Sequence, residues 1–289
     1  MKDQISVVTG ANSGVGFETA LMLAEEGGTV VLVCRDQEKG DDALRRIRTQ
    51  VPNADLRLEI ADLANMGEVR ELGRKLSSEH PGLHLLVNNA GVYRAGLEKT
   101  VDGFERTLAV NHLSHFLLTH LVLPNLLAAR GRVLNVSSEA HRRAGLDVES
   151  LEAAIRGETR YNGWVAYSDS KLANILFTKE LARRYRQEEL ATCAFHPGVL
   201  STRIWNKNLN PVSLLMVLFK PVMGKPAVGG EAALFLTQEP PEAIHGRYFN
   251  KKRERDPSRR ADDSRLAEDL WEISLRLTGL AEDPPSRSG

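Results

Sequence analysis

Short apolar, β-like stretches alternate with helical ones along most of this chain, and that alternation constrains its fold more than any other feature. Ile5–Thr9, Thr29–Cys34, Arg132–Val136 and the stretches 55–60, 83–87 and 191–195 read as strands. Helical periodicity fills the intervals, from the first glycine turn to about 26, then over 37–49, 63–76, 104–128 and 165–186. Runs such as Val30-Val31-Leu32-Val33 are apolar at successive positions, as strands buried on both faces must be. Connections of a few residues then require parallel strands joined by right-handed crossover helices. The expected fold is α/β, a single doubly wound parallel sheet of Rossmann type with helices on both faces. It is expected to form one domain over residues 1–280, with a tail at 281–289. The expected later elements are a helix at 227–236, a last strand at 246–249 and an amphipathic helix at 262–277.

Between the first strand and first helix lies Gly10-Ala11-Asn12-Ser13-Gly14-Val15-Gly16. Glycines there allow a tight turn and a close backbone approach to a pyrophosphate, whose charge a helix N-terminus holds. The second strand ends in Cys34-Arg35-Asp36, where the adenosine ribose of a dinucleotide is read. A guanidinium favours a 2′-phosphate, so Arg35 points to NADP rather than NAD. Asp36 either caps the next helix or takes a 2′-hydroxyl.

Tyr167 and Lys171 are four residues apart on a helical stretch, and so lie one turn apart on one face. An ammonium there is expected to lower the tyrosine pKa from its usual value of about 10, toward acid/base work near neutrality.

At this point the sequence resembles the short-chain dehydrogenase/reductase family. The resemblance rests on Thr9-Gly10-x-x-x-Gly14-x-Gly16, Asp62-Leu63, Asn88-Asn89-Ala90-Gly91, Asn111, Ser137-Ser138, Tyr167-x-x-x-Lys171 and Pro197-Gly198, in the family's order. The phrases Cys34-Arg35-Asp36, Asn111-His112-Leu113, Ser170-Lys171-Leu172-Ala173-Asn174 and His196-Pro197-Gly198 are similar to its retinol dehydrogenase-like branch. The resemblance implies an oxidoreductase that interconverts an alcohol and a lipophilic aldehyde or ketone. Tyr167 would exchange the proton and Lys171 would hold the nicotinamide ribose. Ser138 would polarise the carbonyl, and Asn111 would hold a water linking Lys171 to solvent. Gly10, Asn12, Ser13, Gly14, Val15, Gly16, Arg35, Asp62, Leu63, Asn89, Ala90, Gly91, Pro197, Gly198, Val199 and Thr202 would line the cofactor. Ser138 and Tyr167 are separated by a long interval, so Ser137 stays open for the serine role. A homodimer or homotetramer is implied as well. The region 204–245 would form a substrate-side lid.

Charge and cysteine content narrow the partners. Thirty-eight Lys and Arg balance 38 Asp and Glu, which gives no electrostatic reason to expect nucleic acid. The two cysteines, Cys34 and Cys193, show no metal or redox spacing and suit a cytoplasmic location. No leader and no spanning segment are expected. The apolar run 212–219 reads as a lid, a core helix or a peripheral membrane contact. The basic stretch 251–260 reads as a solvated loop or a phosphate-binding surface. His112, His115 and His120 share one helical stretch without a metal-completing partner, so no metal is expected. The rival function is a non-catalytic nucleotide-binding sensor or scaffold of the same fold.

Overall fold

The structure is a computed structural model and describes residues 2–198 and 225–280. Val199, Thr202 and the run 212–219 lie outside them. Eight strands form one sheet in the order β3-β2-β1-β4-β5-β6-β7-β8. They are β1 (Ile5–Thr9), β2 (Thr29–Cys34), β3 (Leu56–Ile60), β4 (Leu85–Asn88), β5 (Arg132–Val136), β6 (Ala191–His196), β7 (Arg247–Asn250) and β8 (Arg253–Glu254). Neighbours are parallel except β7 and β8, a short antiparallel hairpin at one edge that the sequence pattern does not anticipate. Strand order reverses between β1 and β4, and the crevice at the carboxyl ends of these strands is where such sheets take ligands.

The helices are α1 (Gly14–Glu25), α2 (Gln37–Gln50), α3 (Met66–Glu79), α4 (Arg106–Leu108), α5 (Ser114–Ala128), α6 (Leu151–Ile155), α7 (Gly163–Arg184), α8 (Ala227–Gln238), α9 (Pro241–Ile244) and α10 (Ser264–Thr278). Because side chains alternate across a strand, Val7 and Val8 enter different cores. Val7 packs with residues of α3, α5, α7 and α10, and Val8 with those of α1, α2 and α8. Cys34 and Cys193 are buried free thiols. Among the described residues no helix is long and apolar enough to cross a membrane.

Two departures from the sequence pattern have local causes. Helix α3 begins at Met66 rather than 63, because Asn65 accepts from the Gly67 and Glu68 backbones and donates to the Glu68 carboxylate. The stretch 104–128 is not one regular helix, since Ala109–Leu113 is a π-turn. There the Ser114 hydroxyl donates to the Val110 carbonyl and the His115 ring to the Asn111 carbonyl, side chains serving carbonyls that a regular turn would bond with backbone N–H. The stretch 139–163 holds a 3₁₀ turn, Glu139–Arg143, and α6. In the described part of the expected lid, α8 packs on α1, where a Cβ at Gly230 would come within 2.8 Å of the Glu18 Cβ.

Helix α10 closes the face of α5 and α7. Trp271 is buried there, its ring 5.1 Å edge-on from Phe116 and 5.9 Å from Phe177, with the Arg184 guanidinium 4.4 Å over it.

Candidate active site

A cleft of about 730 Å³ opens at the β1/β4 crevice. Its first wall is the glycine turn. Gly10 and Gly14 sit at φ +66° and +60°, left-handed values that glycine adopts without strain. Gly16 does not line the cleft. A Cβ there would lie 2.5 Å from the Gly10 carbonyl and 2.4 Å from Asn89 Nδ2, so this glycine lets α1 pack against the turn. Ser13 precedes α1 in extended conformation with no side-chain cap, which leaves the first N–H groups of the helix open to an anion. Asn12, Ser13 and Val15 line this part of the cleft.

Thr9 ties the turn to the next wall. Its hydroxyl accepts from the Asn89 and Ala90 backbones at 2.9 Å, and Asn89 Nδ2 donates to the Thr9 carbonyl at 2.7 Å. Ala90 and Gly91 face the cleft beside Asp62 and Leu63. At the ribose end, Asp36 caps α2. Its carboxylate accepts the Lys39 backbone at 3.0 Å and Lys39 Nζ at 2.8 Å. Arg35 is exposed at the cleft and has no ion pair among the described residues. Lys39 lines the cleft beside it, a cation that the sequence motifs do not single out.

The other end of the cleft gathers Ser138, Tyr167 and Lys171. Ser137 and Ser138 separate clearly. The Ser137 hydroxyl donates to the Lys171 carbonyl at 2.7 Å, whereas Ser138 hydrogen-bonds the Tyr167 side chain. Asn111 stands behind them and does not line the cleft. Its amide accepts from the Val92 backbone at 2.8 Å and donates to the Val92 carbonyl at 3.0 Å and to Ser170 Oγ at 2.9 Å. Pro197 and Gly198 close the far side.

The electrostatics of Tyr167 reverse one expectation. Burial pushes its phenol up to about 12, against the lowering expected from Lys171, and the Ser138 hydrogen bond only partly offsets this. Burial likewise lowers Lys171 to about 8, and its Nζ donates to the Val136 carbonyl at 3.0 Å. Desolvation here outweighs the Tyr/Lys pairing, a balance that spacing along a helix does not carry. Further cleft residues lie outside the motifs. Tyr93 and Trp164 pack around Tyr167 at ring separations of 6.2 and 6.1 Å, and Arg143 and His196 also line the cleft. The three helical histidines are core hydrogen-bonders. His112 pairs with Ser274, His115 bridges Thr9 and Asn111, and His120 bonds the Phe116 carbonyl.

A family model described as short chain dehydrogenase matches residues 4–150. The chain is 39% identical over 279 residues to retinol dehydrogenase 12 of Homo sapiens, covering 96% of this chain and 87% of that protein. The chain belongs to the short-chain dehydrogenase family. This dehydrogenase is also 40% identical over 282 residues to retinol dehydrogenase 13 of Mus musculus, covering 95% and 84% of the two chains. An uncharacterized protein from Mycobacterium paratuberculosis superposes with a TM-score of 0.76 at 31% identity, covering 98% of this chain and 96% of that one. The NADPH-bound carbonyl reductase from chicken fatty liver shares the fold at 20% identity and a TM-score of 0.65, covering 89% and 100%. This short-chain dehydrogenase is an NAD(P)-dependent oxidoreductase acting on CH–OH and C=O groups of small molecules.

One buried carboxylate on α7 yields a stability prediction. Asp169 Oδ1 accepts from the Gly145 backbone at 2.6 Å and the Leu146 backbone at 3.2 Å, and burial pushes its pKa up to about 6. The folded chain therefore holds a proton that the unfolded chain releases between the ordinary aspartate value of 3.8 and about 6, so stability falls as pH rises through that window. Asp169→Asn keeps the accepting oxygen and removes the charge. Its Tm is expected to exceed the parent's above about pH 6, with the gap closing toward about pH 4. Calorimetry across that range checks this, and a gap independent of pH would reject it.

Proposed function

We propose that this protein is an NADP-preferring oxidoreductase interconverting a lipophilic alcohol with its aldehyde or ketone, with Tyr167 as the proton-exchanging group. The observation that carries the cofactor preference is at the end of β2. Both Asp36 oxygens are engaged by Lys39 as a helix cap, which disfavours their use on a 2′-hydroxyl and leaves the Arg35 guanidinium for a 2′-phosphate. Gly10, Gly14 and the uncapped start of α1 suit a pyrophosphate. Bound there, NADPH would supply the hydride.

The chain's own groups supply the rest. Hydride arrival builds negative charge on the substrate oxygen, and Ser138 donates to it as a neutral hydroxyl. Burial keeps the proton on Tyr167 near neutral pH, which suits its delivery to a carbonyl oxygen. Lys171 keeps a cation on the buried side of the site, and Asn111 fixes the Val92 backbone, in the loop after β4, against α7. Tyr93, Ala140 and Trp164 form an apolar wall beside Tyr167, which favours a lipophilic substrate. The names of the retinol dehydrogenase relatives make all-trans-retinal the first substrate to try. Two buried free thiols accord with a cytoplasmic location.

Fluorescence titration with NADPH and NADH tests the cofactor reading. Arg35→Ala is expected to weaken NADPH binding by about 10- to 100-fold, the value of a charged hydrogen bond, and to leave NADH binding unchanged. Equal loss for both cofactors, or none for NADPH, refutes the Arg35 assignment. Titration in which neither cofactor binds favours the rival sensor or scaffold reading with another ligand.

A further inference from the structure

We infer that His141 is a positioning residue that holds Ser138 in place and ties the carbonyl-polarising side of the site to the segment 248–260, which contains the basic stretch 251–260. The inference rests on the role of Ser138 proposed above. Ser138 leaves β5 in extended conformation, with φ −157° and ψ 153°, and starts the 3₁₀ turn Glu139–Arg143. Such turns hold poorly by their own hydrogen bonds, so their geometry is set from outside.

His141 supplies that outside hold. It is buried, at 1% exposure, and it is not among the residues lining the cleft. Its Nδ1 lies 2.6 Å from the Ser138 carbonyl oxygen and its Nε2 lies 3.0 Å from the Ser258 backbone nitrogen. A backbone N–H only donates, so Nε2 must accept. The ring proton is therefore on Nδ1, where it donates to Ser138. The His141 backbone N–H donates to the same carbonyl at 3.0 Å. Burial pushes the imidazole pKa down, which keeps the ring neutral and both bonds intact. Arg142 and Glu139 are its charged neighbours, and the Tyr248 ring stands 5.0 Å away across the strand edge. With both nitrogens engaged, His141 has no atom left for substrate.

Four further bonds join the same two stretches of chain. The Tyr248 hydroxyl donates to Glu139 at 2.9 Å, Asn250 Nδ2 to the same Glu139 oxygen at 3.4 Å, Arg142 to the Asp256 carbonyl at 2.7 Å and Arg260 to the Leu146 carbonyl at 2.6 Å. The basic run thus forms a strap across the serine turn. A donor aimed at a developing oxyanion works only when held in register before the reaction, and this strap holds it.

The test compares His141→Phe, His141→Asn, Ser138→Ala, Ser138→Ala with His141→Phe, and Ser258→Pro, all assayed with NADPH and all-trans-retinal. His141→Phe is expected to lower kcat by about 10- to 100-fold, as sub-ångström misplacement does, with KM and NADPH affinity unchanged. Asparagine can donate from the Nδ1 position but does not replace Nε2, so His141→Asn is expected to regain part of kcat, to about the level of Ser258→Pro. On the Ser138→Ala background, His141→Phe is expected to cost nothing more, because two residues acting through one group are non-additive. Ser258 has φ −68°, which proline accepts, so Ser258→Pro deletes one N–H and is expected to lower kcat without unfolding the chain. Parental kcat in His141→Phe, or an equal further loss on the Ser138→Ala background, overturns the inference. If His141→Phe does not fold, parental kcat in Ser258→Pro overturns the strap by itself. Full turnover by Ser138→Ala would instead refute the role of Ser138, and so separates the two failures.

Discussion

Tyr167→Phe is expected to lower kcat by about 10²–10⁴-fold, the contribution of a positioned proton donor, while NADPH affinity stays at the parental value. The phenol is buried at the inner end of the cleft and hydrogen-bonds Ser138. Phenylalanine keeps the ring, and with it the packing against Tyr93 and Trp164. A loss of turnover then cannot be blamed on a collapsed pocket. Steady-state assays in both directions, paired with fluorescence titration of the cofactor, check the result. Parental kcat in the variant would remove Tyr167 from the reaction and return the site to the sensor reading.

Trp271→Ala is expected to destabilise the fold by about 3–5 kcal/mol, in the range of large aromatic truncations in cores. Single domains have about 5–15 kcal/mol in total, so the variant loses a large part of its margin. For a chain of this size a melting temperature roughly 6–20 °C lower is expected in calorimetry. Trp271 is buried between Phe116 of α5 and Phe177 of α7, and Arg184 lies over its ring. Alanine would leave a cavity bounded by three helices, which cannot close without moving all of them. A shift of only a degree or two would show that α10 adapts freely on this face.

The fold was readable because each strand and helix is encoded locally. Continuous apolar runs mark strands buried on both faces, and the glycine turn marks the first crossover. Of the residues that the sequence singles out, Arg35, Ser138, Tyr167 and Lys171 face the cleft directly. Contacts across the fold were hidden. His141 meets Ser258 over a separation of 117 residues, and nothing near either position announces the other. The state of Tyr167 was hidden for a related reason. Helical spacing placed Lys171 one turn away, but the burial that dominates the phenol comes from the whole wall around it. Asn111 gave a third case, since its amide is committed to Val92 and Ser170 through a π-turn that periodicity reads as ordinary helix.

The cover that α10 places over α7 also sets an order of events during synthesis. Seventy-nine residues separate Arg184, the last residue of α7, from Ser264, the first of α10. At translation rates of about 5–20 residues per second, α10 follows α7 by roughly 4–16 s. Through that interval Phe116 and Phe177 have no Trp271 to cover them, and the nascent chain presents an exposed aromatic surface. Chaperones that recognise exposed apolar helix faces have their window there, and slower decoding anywhere between residues 185 and 263 would widen it.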